Sequence, residues 1–290
     1  MIKSMTGFGK VTAELPSKKV TVEIKALNSK QLDLSTRIPS AYREKEMEIR
    51  NLLLQNLERG KIEFSIYVEY IGRDTPTQIN TAAIENYYLQ IKDVSEKLNI
   101  ELPSDWFKVL LRLPDVVRTE VPEADETEWD MVESAIKEAI KQLVEFRIQE
   151  GAMLSKLFQE KISNIATLLT EVEKYEGERI EKVKTRIQEN LEKIAGLDFD
   201  KNRFEQEMIY YIEKLDINEE KNRLDNHLKY FISTMMDDSS AGKKLGFISQ
   251  EIGREINTLG SKSNHVEMQQ IVVRMKDELE QMKEQILNVL

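Results

Sequence analysis

From Trp129 onward one periodicity runs through the chain. Val132, Ala135, Ile136, Ala139, Ile140 and Leu143, then Leu154, Leu157, Ile162, Ile165, Leu169 and Val172, recur mostly at separations of three and four, the spacing that aligns one face of an α-helix. Ile180, Val183, Ile187, Leu191 and Ile194 continue the pattern among Glu, Lys and Arg. Stripes this long predict a pair of antiparallel, coiled-coil-like arms over 131–175 and 178–195. The start of the chain obeys a different rule. In "IEFSIYVEY" Ile62, Phe64, Ile66, Val68 and Tyr70 alternate with Glu63, Ser65, Tyr67 and Glu69, the mark of a strand with one buried face. Residues 2–13, 20–27 and 31–38 read as further strands, and a helix from about Ser40 to Arg59, ended by Gly60, separates the second pair. The fold class is therefore an α+β N-terminal domain (1–128), long coiled-coil-like helices (129–199) and an all-α C-terminal domain (200–290), predominantly helical overall.

Composition narrows the function classes. With 40% hydrophobic and 32% charged residues in 290, the chain can bury real cores and is no disordered tail. It has no cysteine, which removes disulfides, thiolate metal sites and cysteine nucleophiles. No apolar run reaches the length of a signal peptide core or of a membrane span, so a cytoplasmic protein without membrane partners is expected. The formal charge of −10 argues against a uniformly basic nucleic-acid surface. Charge is uneven, however: eight acids between Thr119 and Glu138 face only Lys137, while the first seventy residues are slightly basic. A polyanion can still be bound locally, and an oligomer would repeat each basic patch.

The most informative stretch is "QEIGREINTLGSK", 250–262. At 100° per residue Leu245, Ile248, Ile252, Ile256 and Leu259 form a buried stripe. Glu251, Glu255, Thr258 and Lys262 flank it, and Gln250, Arg254, Asn257 and Ser261 lie opposite. The flanking carboxylates suit either salt bridges or a divalent cation. The outer stripe is odd for a free surface, because Asn and Ser are mediocre helix formers. In "INEEKNRLDNHLKYF", Glu219, Glu220, Arg223 and His227 are three and four apart beside Leu224, Leu228 and Phe231. That spacing fits a histidine acting as acid or base, or a half-buried histidine at a helix contact. The second histidine, His265, follows a glycine turn and reads as a helix-start residue. In "FRIQEGAML" Gly151 inside a helix implies a close crossing or a kink. Lys30, Arg37 and Lys61 sit near strand turns, where contact with a phosphate backbone and plain solvation are both open. The sequence carries no phosphate loop, dinucleotide fingerprint, zinc-ligand spacing or nucleophile elbow.

The opening "MIKSMTGFG", with "LNSKQLDLSTRIP", "LERGKIEF", "FRIQEGAML", "EEKNRLDNH" and "GKKLGFISQEIGREINTLGSKSN", resembles the YicC/YloC family of bacterial endoribonucleases over nearly the whole chain and in the family's order. Departures are confined to Gly253 and the surroundings of His265. The resemblance implies a homohexameric ring that takes RNA into a central cavity, cleaves it with a divalent cation, Mg2+ or Mn2+, and serves RNA turnover beside other RNA-degradation factors. On that reading Glu251, Glu255, Arg254, His227 and Lys262 are catalytic, with Glu219, Glu220, Glu251 and Glu255 as metal ligands. RNA contacts fall to Lys30, Arg37, Lys61, Arg147, Arg223, Lys243, Gln250, Asn257 and Ser261. A metal-free variant, with His227 taking the ribose 2′-OH proton, is open beside it. So is a non-catalytic ring that presents RNA to another nuclease.

Overall fold

A computed structural model of the protein describes residues 2–29, 31–71, 77–119, 125–195, 201–237 and 242–290. The chain opens with a hairpin, β1 (Gly7–Glu14) and β2 (Lys18–Leu27), followed by β3 (Leu32–Arg37), a 3-10 turn at Ser40–Lys45, α1 (Glu46–Asn56) and β4 (Gly60–Tyr70). The sheet order is β1-β2-β4-β3, antiparallel except for the β3/β4 pair, which α1 connects. Pairing of Val22 with Ile66, Ile24 with Phe64 and Ala26 with Ile62 puts the apolar members of two strands on one face, which α1 covers with Ile49 and Leu53. The other face keeps Glu23, Lys25, Glu63, Ser65 and Tyr67, as the alternation predicts. Gly60 differs from expectation: the helix already ends at Asn56, and Gly60 opens β4 at φ 118°, where a Cβ would lie 2.9 Å from the Leu27 carbonyl oxygen.

A smaller unit follows: β5 (Thr77–Ile79), α2 (Thr81–Leu98), α3 (Trp106–Leu110) and β6 (Val117–Thr119), with β5 and β6 paired antiparallel. Asn80 caps α2 by accepting the Ala83 N–H at 3.1 Å. No residue of α2 is buried, and its apolar stripe touches α3 through Tyr88 on Trp106, ring centroids 4.7 Å apart.

The two expected arms are a single helix, α4 (Glu126–Ala195), 70 residues long. Nothing breaks it: Gly177 lies inside α4 with open space around it, a lone glycine costs only about 1 kcal/mol, and Glu, Lys and Arg around it favour helix. Nor do its apolar stripes need each other. Val132, Ile136, Ala139 and Leu143 close the sheet's core, whereas Phe158, Ile162, Ile165, Leu169 and Val172 belong to a second core.

Asp125 starts α4. Its Oδ1 accepts the Glu128 N–H and the Thr127 hydroxyl, both at 2.7 Å, and these bonds, the backbone one first, hold its carboxyl below the usual carboxylate range. A depressed folded pKa gives stability that is complete above the unfolded value of about 4 and is lost as pH falls through the folded one. Asp125→Ala is expected to lower the thermal midpoint measurably at pH 7, and the gap to wild type should close in acid; an undiminished gap at low pH would show that the carboxylate is not the cause.

After α5 (Lys201–Lys214), the second core is built by α6 (Asn218–Met236), α7 (Gly242–Lys262) and α8 (Val266–Ile286) against the middle of α4. Phe158 meets Phe231 edge-on at 5.8 Å, and Met268, Met275 and Met282 are core fillers, as their spacing predicts. Residues 2–6 stitch the two cores together. Ser4 N–H donates to Arg147 O, Met5 N–H to Asn288 O and Leu290 N–H to Lys3 O, all within 3.0 Å. Among the described residues no helix is long and apolar enough to cross a membrane.

Candidate functional site

Helix α7 presents the stripes that its periodicity requires. Leu245, Ile248, Ile252, Ile256 and Leu259 are buried, Gln250, Arg254, Asn257 and Ser261 are exposed, and Glu251, Thr258 and Lys262 lie between. Glu255 goes further inward than a flanking position suggests, to 9% exposure. Arg254 reaches back to Glu251 at 2.6 Å, with both side chains largely in solvent, so the pair is worth at most about 1 kcal/mol and yields readily to a ligand.

Helix α6 runs antiparallel to α7. At one end Lys262 Nζ donates to Glu220 Oε1 at 2.8 Å and to Asp216 O at 2.9 Å; at the other, Lys244 Nζ lies 5.1 Å from the Tyr230 ring centre. That register sets Glu255 level with the Arg223–His227 stretch. Glu220 is buried because Leu224 and Leu228 on its face are core, and its second oxygen has no partner among the described residues. Glu219 is bonded instead to Arg223 in solvent. His227 is half-buried and makes no hydrogen bond to another described residue.

The remaining candidates scatter. Arg147 corrects an expectation: it is 3% exposed and spends its guanidinium on main-chain oxygens, Nη2 donating to Met5 O at 3.1 Å and Arg59 O at 2.9 Å. Burial pushes its pKa down, and it offers nothing to RNA. Arg37 and Lys61 are exposed on the sheet, Lys61 3.3 Å from Glu63. Lys243 stands in a cavity of about 650 Å3 with Asn28 and Arg59, where the N-terminal unit meets the start of α7. Lys30 lies outside the described residues.

The carboxylates of one chain do not fit a divalent cation. Glu219, Glu220 and Glu251 each hold a cation of their own chain, and among the described residues no three His, Asp or Glu side chains gather at a metal-holding distance. A hard cation needs several oxygen ligands together.

Sequence reasoning missed the charged cluster at the far end of α7. His265 does begin α8, yet its side chain caps nothing. It is 5% exposed, with Nε2 3.0 Å from Lys182 Nζ, Nδ1 3.0 Å from Glu267 and the Tyr175 ring at 5.3 Å. Lys182 also bonds Glu178 at 2.6 Å, which holds the Glu178 carboxyl below its ordinary range and raises the lysine. Arg179 beside them is 4% exposed, donates to Lys262 O at 3.4 Å and is pushed down by burial. The available signal was the spacing itself. Val172, Tyr175 and Arg179 continue the inward face of α4 at three and four, so the Arg179 guanidinium had to face protein, while Lys182, one turn on, is exposed and reaches His265 from the rim.

Two family models cover the chain. Residues 2–156 match "Endoribonuclease YicC-like, N-terminal region" and residues 172–290 match "Endoribonuclease YicC-like, C-terminal". Among similar proteins is a "Probable endoribonuclease YicC" of Clostridioides difficile, 32% identical over 295 residues, and another of Haemophilus influenzae, 31% identical over 294; both alignments span all of this chain and all of the relative. The chain belongs to the YicC-like endoribonuclease family.

Proposed function

We propose that this protein cleaves RNA internally, in the cytoplasm, as part of bacterial RNA turnover, and that the paired helices α6 and α7 carry the reaction. Full-length likeness to endoribonucleases supports RNA cleavage. The observation that supports the location is the outer stripe of α7, four exposed hydrogen-bonding side chains, Gln250, Arg254, Asn257 and Ser261, in place of ordinary surface filler. Arg254 is tied only by its exposed pair with Glu251 and can turn to phosphate oxygens. Arg223, Lys243 and Lys262 add positive charge on the same two helices, and Arg37 and Lys61 on the sheet.

The chemistry that one chain can carry centres on His227. Its ring is half-buried beside the core and uncommitted among the described residues. There it can take the 2′-OH proton while the 2′-oxygen attacks phosphorus and the 5′-oxygen leaves, which yields a 2′,3′-cyclic phosphate; Arg254 then faces the charge gathered on the phosphoryl oxygens. Dependence on Mg2+ or Mn2+ belongs to the proposal only where two copies meet, with Glu219 or Glu220 of one and Glu251 and Glu255 of another as donors. Exposed apolar side chains support an assembly of copies, a hexamer in our reading. Leu89, Leu98 and Phe107 of the α2–α3 unit are 58%, 63% and 74% exposed, and Ile209 and Tyr210 of α5 57% and 55%, apolar side chains that contact between copies would cover.

The test is cleavage of a defined RNA by purified wild type, Glu251→Gln, Glu255→Gln and His227→Ala proteins of equal native mass, with product ends analysed with and without chelator. His227→Ala is expected to slow cleavage about 100-fold by the one-chain chemistry, and Glu251→Gln and Glu255→Gln by as much where the two-copy site operates. Cyclic phosphate ends that persist in chelator favour the one-chain chemistry, and loss restored by Mg2+ or Mn2+ favours the two-copy site. Equal cleavage by all four proteins would point to a contaminating nuclease and leave a ring that only presents RNA.

A further inference from the structure

A cavity of about 560 Å3 opens between α4, α5 and the α7–α8 turn, with Asn264, two residues beyond the end of α7, in its lining. Its described lining includes Lys182 and Arg186 from α4, Lys214 and Tyr211 from α5, and Asn264 from the turn, with Val183 as part of an apolar floor; no carboxylate is among them. Lys182 is paired with Glu178 outside the lining, which leaves Arg186 and Lys214 as the cations that favour an anionic occupant in a chain of net charge −10. Volume, apolar floor and the partly exposed Tyr211 ring suit a flat ring as well as a phosphate.

Lys182 gives one proton to His265 Nε2 at 3.0 Å and one to Glu178 at 2.6 Å, and an ammonium has three, so one remains for the cavity. His265 is buried, with Nε2 toward Lys182 and Nδ1 toward Glu267. The Lys182 ammonium is thereby drawn toward the start of α8, though 57% of its side chain is exposed.

We propose that this cavity is a subsite for single-stranded RNA, where Lys182, Arg186 and Lys214 hold a backbone phosphate, Tyr211 stacks on a base and the Asn264 amide reads that base's edge. The proposal rests on the ribonuclease reading above and extends it to a nucleotide away from the cut. Proximity to the outer stripe supports RNA over an acidic peptide. Asn264 follows the last member of the outer stripe, Ser261, by three residues, just past the end of α7 at Lys262, and Arg179 ties the Lys262 carbonyl to the same stretch of α4.

The experiment measures binding of a fluorescein-labelled, 2′-O-methylated decaribonucleotide to the full-length protein across a salt series, beside cleavage of unmodified RNA. The Arg186→Gln/Lys214→Gln double variant is expected to bind about tenfold more weakly at moderate salt, with a salt slope shallower by about 0.7, the value for one single-strand phosphate contact. Tyr211→Ala should lose about tenfold with the slope unchanged, and Lys214→Arg should match wild type. If wild type binds and cleaves but the double variant keeps wild-type affinity and slope, the subsite is overturned and the ribonuclease reading stands. If wild type neither binds nor cleaves, both fall. A double variant that loses affinity together with native mass would assign the cavity to a contact between copies and overturn the subsite.

Discussion

Gly151→Ala should destabilise the protein by about 2 kcal/mol, although helix propensity alone favours alanine by about 1 kcal/mol. A Cβ at 151 would stand 2.2 Å from the Ile2 carbonyl oxygen and 2.8 Å from Lys3 Cα. Both neighbours are main chain, held by the Leu290 and Ser4 hydrogen bonds, so neither gives way as a side-chain tip would. Forcing a methyl into such a site typically costs about 1–3 kcal/mol, and here more because backbone has to move. The thermal midpoint is expected to fall by roughly 4 °C for a chain of this size. A midpoint equal to or above wild type would mean that residues 2–6 lift away freely and do not bind the two cores.

Arg147→Met should cost about 3 kcal/mol and leave RNA affinity per folded molecule unchanged. Methionine keeps much of the buried volume but leaves the Met5 and Arg59 carbonyl oxygens, bonded at 3.1 and 2.9 Å, without a donor, at about 1–3 kcal/mol for each buried group abandoned. Arg147→Lys should recover part of the loss, since one ammonium can reach one carbonyl but lacks the planar fork. Denaturant unfolding and RNA titration on the same preparations check it. Wild-type stability with weakened RNA binding would return Arg147 to the RNA-binding residues from which its burial removes it.

The strands were legible because Ile62, Phe64 and Ile66 had only one way to share a face, and the stripe of α7 because five apolar residues at helical spacing leave two polar faces. Gly151 was legible as a close approach, but not what approaches. The partner is the N-terminal segment, nearly 150 residues earlier, and no local pattern encodes it. The two-arm reading failed for a related reason. Periodicity shows that Val132 and Val172 each face something apolar, but not that one faces a sheet and the other three helices. Within the candidate site, Glu219 and Glu220 look alike in sequence. A single residue step, about 100° around the helix, decides that Glu220 meets Lys262 beside the core residues while Glu219 remains with Arg223 in solvent. His265 was legible as the start of α8, but its side-chain neighbours Glu178 and Lys182 were not, because they come from α4, more than eighty residues earlier.

Helix α4 also acts as a gauge. At about 1.5 Å per residue it extends roughly 105 Å, and because two cores are cast around one continuous bar, neither has a joint at which to open by itself; loosening either strips a face from the same rod. Beyond Val172 the bar still carries Arg179 and Lys182, so the interval from the sheet to those cations is set by residue count and not by a flexible hinge. Inserting or deleting residues there changes phase as well as length, since each one turns the far end by about 100°.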